Sequence, residues 1–472
     1  MTYPNVLVLD YLKQTGRLTP ETQLKAERYI GLGYQRLLTF EVAGGGFSLF
    51  GRPPAILNLS GYGLLQISDM ARVYPVDPAL IQRTAAWLRS QQKADGAWGA
   101  NLTDTAFVTW ALVEAGQQES ALYVSDTREA QRGLATLRAS WGRSHEPYVL
   151  ALIANALAAA KDPAANEVLA GLEAIKIAEG DAVHWTAKGP SIMGSHGRTG
   201  DVETTALVVH AMLRANQYPQ SALAGLTYLI RQKDSHGTLY STQATILALK
   251  ALTLAATQPG MAEGDGQVIV ALNGARKPPI VVTKQNADVV HSLIFEDIAA
   301  GDNAVAFQVL GSGNPSASSG QVLMYQVSAE YYLPWDRLPP EEKTGEQMFI
   351  TVDYDRRSLA VNDEITARVQ MALMRDRPAV MVVADLGIPP GFAVETGDLA
   401  RLVADKRIQR FEVTGRQIIL YIENMQPKRP LEFTYRLRAK FPIKAQVPPS
   451  VAYDYYNPDA QRTVAPVSFV VE

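Results

Sequence analysis

Apolar residues recur at two different periods along this chain, and the change falls near Thr257–Gly260. Before it the spacing is helical. After it, β-branched residues alternate with polar ones between Gly, Pro and Asn turns. The helical part repeats one unit. In PALIQRTAAWLRSQQ, Leu80, Ile81, Thr84, Ala85 and Leu88 share a face, with Gln82, Arg83 and Arg89 opposite. The KADGAWG turn follows, where Gly96 supplies a positive φ and Trp98 plugs back into the core. Next comes TDTAFVTWALVEAG. Thr103 or Asp104 caps it, and Phe107, Val108, Trp110, Ala111, Leu112 and Val113 are apolar nearly all round. An amphipathic helix feeding an all-round apolar one predicts two layers: outer helix, turn, inner helix.

The unit recurs. PQSALAGLTYLIRQKDSHGTLYSTQATILALKALTLA repeats it, with Leu223, Leu226 and Ile230 facing in, a turn at Gly237, and Ile246 to Leu254 as the apolar partner. TGDVETTALVVHAML (199–213) is another apolar helix behind an Asp201 cap, and VLVLDYL, with Val6, Leu7, Leu9 and Leu12, opens the chain behind Thr2 or Asn5. GLGYQRLLTFEVAGGGFSLFG with LSGYGLLQISDMARV is a looser copy, in which Phe47 and Phe50 take the place of Trp98 and Trp110 as plugs. Helical hairpins that cannot bury their faces singly must stack. Closed, the stack is an α/α-toroid; an open solenoid is the alternative, and the aromatic plugs favour closure. After the toroid, 267–335 reads as alternating strands with loops at the Pro-Pro, GSGNPSASSG and LPPEEK segments. From Gln347, strands recur as in a β-sandwich, with one short helix, GDLARLVAD (397–405).

Composition narrows the function. The 472 residues are too many for one core, and 44 Lys+Arg against 47 Asp+Glu leave no basic nucleic-acid footprint. There is no cysteine, so thiolate zinc sites and thiol nucleophiles are excluded from this chain. His184 and His196 flank a Gly/Ser-rich loop, but no HxxxH or HExxH spacing occurs, so no metal and no cofactor is expected; His210, on an apolar helix, reads as a satisfied core residue. The GGG at 44–46 lacks the Lys and Ser/Thr of a phosphate loop. A toroid enzyme of the cyclase, lyase or glycosidase type would need converging carboxylates. Asp104, Asp201 and Glu203 are the candidates, yet they read as helix caps. No catalytic residue is assigned.

Four stretches together are more specific than any of these. PNVLVLDYL, YIGLGYQRLLTFEVAGGGFSLFG, AAWLRSQQKADGAWG with TDTAFVTWALVEAG, and VAYDYYNPDAQRTVAP run in order through nearly all of 3–472. They resemble the C-terminal third of the alpha-2-macroglobulin and complement family, above all its bacterial members. The resemblance implies three domains: an α-toroid thioester domain over 1–257, the returning half of a CUB-like β-domain over 262–335, and a macroglobulin, or receptor-binding, sandwich over 345–472. It implies a broad-spectrum protease trap rather than an enzyme, located outside the cytoplasm, with target proteases and upstream macroglobulin domains as partners. Membrane contact would come only through an anchor outside this chain.

In the family a Cys-x-Glu-Gln motif, which forms an internal thioester, precedes the position of Pro4, and Met1 stands where that motif ends. The chain thus reads as a scaffold fragment cut just after the motif, with a thioester-less binding module as the alternative. Tyr62, and Tyr3 beside the missing motif, are the expected shields of the thioester pocket. Complement members carry a His in the loop after the DG turn. Here Gly99-Ala100-Asn101-Leu102 has none, which implies amines rather than hydroxyls as acceptors. Lys406 and Arg407, where animal members are read by receptors, are better taken as a solvated face.

Overall fold

The computed structural model describes residues 2–117, 128–233, 238–257, 266–283, 286, 291–296, 298–311, 325–337 and 347–472. The expected turn at Gly237 and the loops at 312–320 and 338–346 lie outside the described residues. Among the described residues eleven α-helices come first: α1 (Thr2–Gln14), α2 (Pro20–Leu38), α3 (Leu57–Ala71), α4 (Pro78–Ser90), α5 (Leu102–Gln117), α6 (Arg128–Ser140), α7 (Pro147–Ala159), α8 (Ala164–Ala174), α9 (Gly197–Ala215), α10 (Pro219–Arg231) and α11 (Thr242–Thr257). The odd-numbered helices form the inner layer. Each packs on the next odd one, and α11 packs back onto α1. That contact closes the ring and decides for the toroid over the open solenoid. The even-numbered helices sit outside, α2 on α1, α4 on α3, α6 on α5, α8 on α7 and α10 on α9.

Burial follows the layers. Every residue of α7, PYVLALIANALAA, is buried. Outer α4 buries only Leu80, Ile81, Thr84, Ala85 and Leu88, the face its spacing predicts. Outer helices α2, α4 and α10 start on a proline, which cannot miss the N–H that a first turn leaves unpaired.

The turns share one construction. Trp98 is fully buried; its Nε1 donates to Leu88 O at 2.7 Å, and its backbone N–H donates to Thr105 Oγ1 at 3.0 Å. Trp185 repeats this with Leu172 O (2.7 Å) and Thr205 Oγ1 (3.1 Å). Phe47 N donates to Ser60 Oγ at 2.8 Å, and Leu239 N to Thr245 Oγ1 at 3.0 Å. In each unit a hydroxyl of an inner helix takes the N–H of the residue that plugs the turn. Glycine lets the outer helices pack close: a Cβ at Gly133 would stand 2.7 Å from the Trp98 ring, and one at Gly225 would stand 2.4 Å from Val209 of inner α9. The glycines at 44–46 all have positive φ, and Gly45 and Gly46 lie against Trp87, where a Cβ on Gly46 would come within 2.8 Å.

Several expectations are corrected. Phe50 is 40% exposed and plugs nothing, because the chain turns outward at Gly51, which abuts the carbonyl of Thr39. Trp110 is buried, but it lies in the body of α5, and its Nε1 donates to Glu114 Oε1 at 2.8 Å instead of closing a turn. The cap of α5 is Asn101, whose Oδ1 accepts from Asp104 N at 2.9 Å; Asp104 reaches back to Ala100 N. Helix α9 starts at Gly197, so Asp201 lies inside it and accepts from Ala187 N at 2.8 Å. On α10 the deep face is Ala222, Gly225, Leu226 and Leu229, with Leu223 and Ile230 only half-buried.

A hairpin, β1 (Ile177–Glu179) and β2 (Ala182–His184), interrupts the ring between α8 and α9. The next segment forms a small antiparallel sheet in which β3 (Gly266–Leu272) pairs with β4 (Ala275–Arg276), β5 (Ile280–Val282) and β6 (Val305–Gly311). Residues 325–337, which alternate like a strand, form none, and Tyr332 there is 91% exposed.

The sandwich follows: β7 (Met348–Tyr354), β8 (Ser358–Leu359), β9 (Glu364–Leu373), β10 (Ala379–Gly387), β11 (Phe392–Val394), α12 (Thr396–Ala404), β12 (Arg410–Val413), β13 (Gln417–Met425), β14 (Leu431–Ala439), β15 (Ile443–Gln446), β16 (Ser450–Asp454), β17 (Asn457–Val464) and β18 (Ser468–Val471). One sheet runs β12-β13-β10-β16-β17 and another β11-β14-β9-β7, with β15-β18-β8 at the side. Ile365, Val369, Tyr435 and Leu437 from one main sheet meet Val382, Ile418 and Leu420 from the other in a core separate from the ring's.

Candidate functional site

Helices that alternate outer and inner along the chain run antiparallel to their neighbours, so all the inner helices point one way. Their N-terminal ends gather at one rim. Cross-ring contacts mark it: Asn58 Nδ2 donates to Ile192 O at 3.1 Å, and Ile192 N donates to Tyr148 Oη at 3.3 Å. Tyr3 of α1 and Tyr62 of α3 meet there edge to face, with ring centroids 5.8 Å apart.

Beneath them lies a buried ion network. Tyr3 Oη donates to Asp69 Oδ2 at 2.6 Å, and Lys250 Nζ reaches the same oxygen at 2.5 Å while standing 5.6 Å over the Tyr3 ring. Burial pushes the Asp69 carboxyl up, but Lys250, Arg72 and the hydrogen bonds from Lys250 and Tyr3 outweigh it and hold it at about 2. Burial, then the Asp69 charge, raises the Tyr3 phenol well above its usual range. Deeper in the ring, Glu114 pairs with Arg214, and His210 Nδ1 donates to Asn155 Oδ1 at 2.6 Å. Asp69 and Glu114 are thus each neutralised by a cation of their own, in separate clusters.

Glu203 is different. Its side chain is fully buried at the rim, and Oε1 accepts from Ser195 Oγ at 2.6 Å and Ser241 Oγ at 3.5 Å, while Oε2 has no hydrogen bond. Burial raises its pKa to about 7, against the pull of Ser195, Ser191 and Ser241. Its charge also reaches Tyr62, Tyr148 and Tyr456. The cap reading of Glu203 is thus replaced: it bonds side-chain hydroxyls, not a helix start.

Over the same rim lies the turn of the sandwich between β16 and β17. Arg375 Nη2 donates to Asp454 Oδ2 at 2.6 Å, and Arg375 Nη1 approaches His196 Nε2 at 2.8 Å. Asn457 Nδ2 lies 3.1 Å from the same His196 nitrogen, and Arg198 pairs with Asp459 at 3.2 Å. Val380 packs on the bare backbone of Gly194. Tyr62 feels the Tyr455 charge after its own burial and that of Glu203, which puts the sandwich turn at the edge of the aromatic pair.

A closed helical ring with a sandwich turn seated on its rim has relatives. The family model described as "A-macroglobulin TED domain" matches residues 1–254. The chain belongs to the A-macroglobulin family. The family's receptor binding domain model matches residues 377–465. Ovostatin of Gallus gallus is 24% identical over 489 residues, covering 96% of this chain and 31% of ovostatin. The chain thus spans about a third of that relative's length. Among solved structures, native alpha-2-macroglobulin from Escherichia coli, from domain MG7 to the C-terminus, superposes with a TM-score of 0.63 at 16% identity, over all of this chain and 72% of that one. Salmonella alpha-2-macroglobulin reacted with methylamine superposes at 0.62, also at 16% identity, over 99% of this chain and 29% of that one.

Within this family member, Tyr3 and Tyr62 are brought together at the rim, whereas Phe47 and Trp98 lie in the turns and Trp110 deeper in α5. Asp69, Lys250, Trp185, His196 and Glu203 complete the picture. His196 and Glu203 stood in the sequence only as a loop histidine and a candidate cap, Trp185 follows its turn glycine, Gly180, at a longer spacing than Trp98 follows Gly96, and nothing marked Asp69 or Lys250. His184 stacks on Tyr228, with centroids 4.7 Å apart, and is not beside His196. Among the described residues no group of three or more His, Asp or Glu is arranged to hold a metal ion.

Proposed function

We propose that this chain is the shielding scaffold of a protease trap. In this reading 1–257 is the thioester-type ring, 262–335 half of a CUB-like domain and 345–472 the sandwich that covers the rim. The acyl bond to be shielded belongs to residues outside this chain, since the chain has no cysteine. Tyr3 and Tyr62 form the dry wall against it. The parent works outside the cytoplasm, as a secreted or periplasmic inhibitor, and captures proteases rather than catalysing turnover.

The observation that carries this reading is the sandwich turn Asp454–Asn457 seated on the ring rim beside the Tyr3–Tyr62 pair. A thioester left in water is hydrolysed, so a wall of aromatic rings with no free polar group facing it is the physical requirement. The methylamine reaction of the Salmonella relative supports amines as acceptors, as does the loop at 99–102, which has no histidine. Methylamine treatment of the full-length parent, read by mass spectrometry with a thiol assay, tests it. Uptake with one new thiol per uptake is expected. Neither uptake nor thiol would leave a purely steric trap or a binding module.

A further inference from the structure

The seam between ring and sandwich is built around one histidine whose protonation state its neighbours dictate. His196 Nδ1 lies 3.1 Å from Gly194 O, which can only accept, so Nδ1 carries the hydrogen. Nε2 faces Arg375 Nη1 at 2.8 Å and Asn457 Nδ2 at 3.1 Å. Both are donors, so Nε2 is bare and the ring is neutral. The side-chain amide oxygen Oδ1 of Asn457 is buried without a hydrogen bond, and the Arg375 and Asp454 side chains are only 9% and 2% exposed, so water cannot relieve a mismatch here.

We propose that His196 is a proton-operated latch: neutral, it accepts Arg375 and Asn457 and holds the sandwich on the ring; protonated, it turns a donor toward two donors, and the Asp454–Asn457 turn lifts off the rim. Lifting bares Tyr62 and, behind it, Tyr3. The latch concerns docking alone and does not rest on the shielding of an acyl bond.

The charges around His196 set the direction. From the sandwich, Arg375 and Arg377 oppose a proton, while Asp454 Oδ2, 4.0 Å from Nε2, favours one but is committed to Arg375. From the ring, Arg198 is paired with Asp459, and Glu203, bonded to neighbouring Ser195, is mostly uncharged below about 7. Burial first, then Arg375 and Arg377, lower the His196 pKa, with Gly194 O and Asp454 opposing. A free histidine titrates near 6.5, so docking is at full strength above about pH 6.5 and weakens as pH falls through the lowered docked value. Each unit of lowering weakens docking about tenfold.

Hydrogen–deuterium exchange of the whole chain on either side of about pH 6.5 tests this. After correction for intrinsic rates, segments 191–198 and 453–459 should exchange about tenfold faster in acid for each unit of lowering, with α7 unchanged. His196→Gln, whose amide oxygen can still accept from Arg375, should abolish the acid response, and Glu203→Gln should retain it. Equal exchange at both pH values, or an acid response that survives in His196→Gln, overturns the latch. Should circular dichroism show His196→Gln unfolded, NMR titration of the His196 ring in the unaltered chain decides. Protonation in step with seam opening supports the latch, and opening at a different pH overturns it.

Discussion

At the scale of single residues, two buried carboxylates carry opposite signs. Glu203 has its pKa raised from 4.5 to about 7, so the folded chain binds a proton that the unfolded chain releases between those values. Its stabilising share is complete below about pH 4.5 and is lost as pH rises through about 7, on the order of 3 kcal/mol. Glu203→Gln should remove that slope and leave the chain more stable at pH above 7, read by denaturant unfolding across pH. Asp69, held at about 2, does the reverse: its share is complete above about pH 4 and fades as pH falls toward 2. Asp69→Asn should strand buried Lys250 and lower stability by about 3–5 kcal/mol at neutral pH, measured by the same unfolding. Neither role was legible in the sequence. Glu203 sits where a cap is expected, and Asp69 and Lys250 are 181 residues apart.

At the scale of elements, the repeated turn is the unit of construction. Trp98 and Trp185 each fill the turn, hydrogen-bond the preceding outer helix and depend on a hydroxyl of the next inner helix. Trp98→Ala should cost about 3–5 kcal/mol in denaturant unfolding, since the cavity is lined by helices fixed on every side. Gly133→Ala should cost about 1–3 kcal/mol by forcing a methyl into the same ring. Combined, the two should cost less than their sum, because the cavity left by Trp98 receives the added methyl. Most of this level was legible. The Gly-x-Trp turn and the contrast between one-sided and all-round apolar helices follow from backbone sterics and burial. Phe50 failed because its neighbour Gly51 carries the chain outward, and an aromatic close to a glycine looks the same in the sequence whether the chain turns in or out.

At the scale of the whole molecule, ring and sandwich have separate cores joined by a charged seam. Cutting the seam should therefore free the domains without unfolding either. Asp454→Ala leaves Arg375 without its buried partner and should weaken docking by about 3–5 kcal/mol. Small-angle scattering should then show a larger radius of gyration, while circular dichroism stays unchanged. An unaltered radius would mean that the contact does not hold the two together.

Helical and strand periods, the plugs at Trp98 and Phe47, the helical ring followed by β-sheets and the family were all written locally, in spacings short enough for sterics and burial to act on directly. Closure of α11 on α1, the Asp69–Lys250 pair, the isolation of Glu203 and the seating of Asp454 and Asn457 on His196 were decided in three dimensions. Each depends on the distance between side chains far apart in the chain, and the strength of a charge or hydrogen bond is set by that distance and by how completely the fold has removed the water around it.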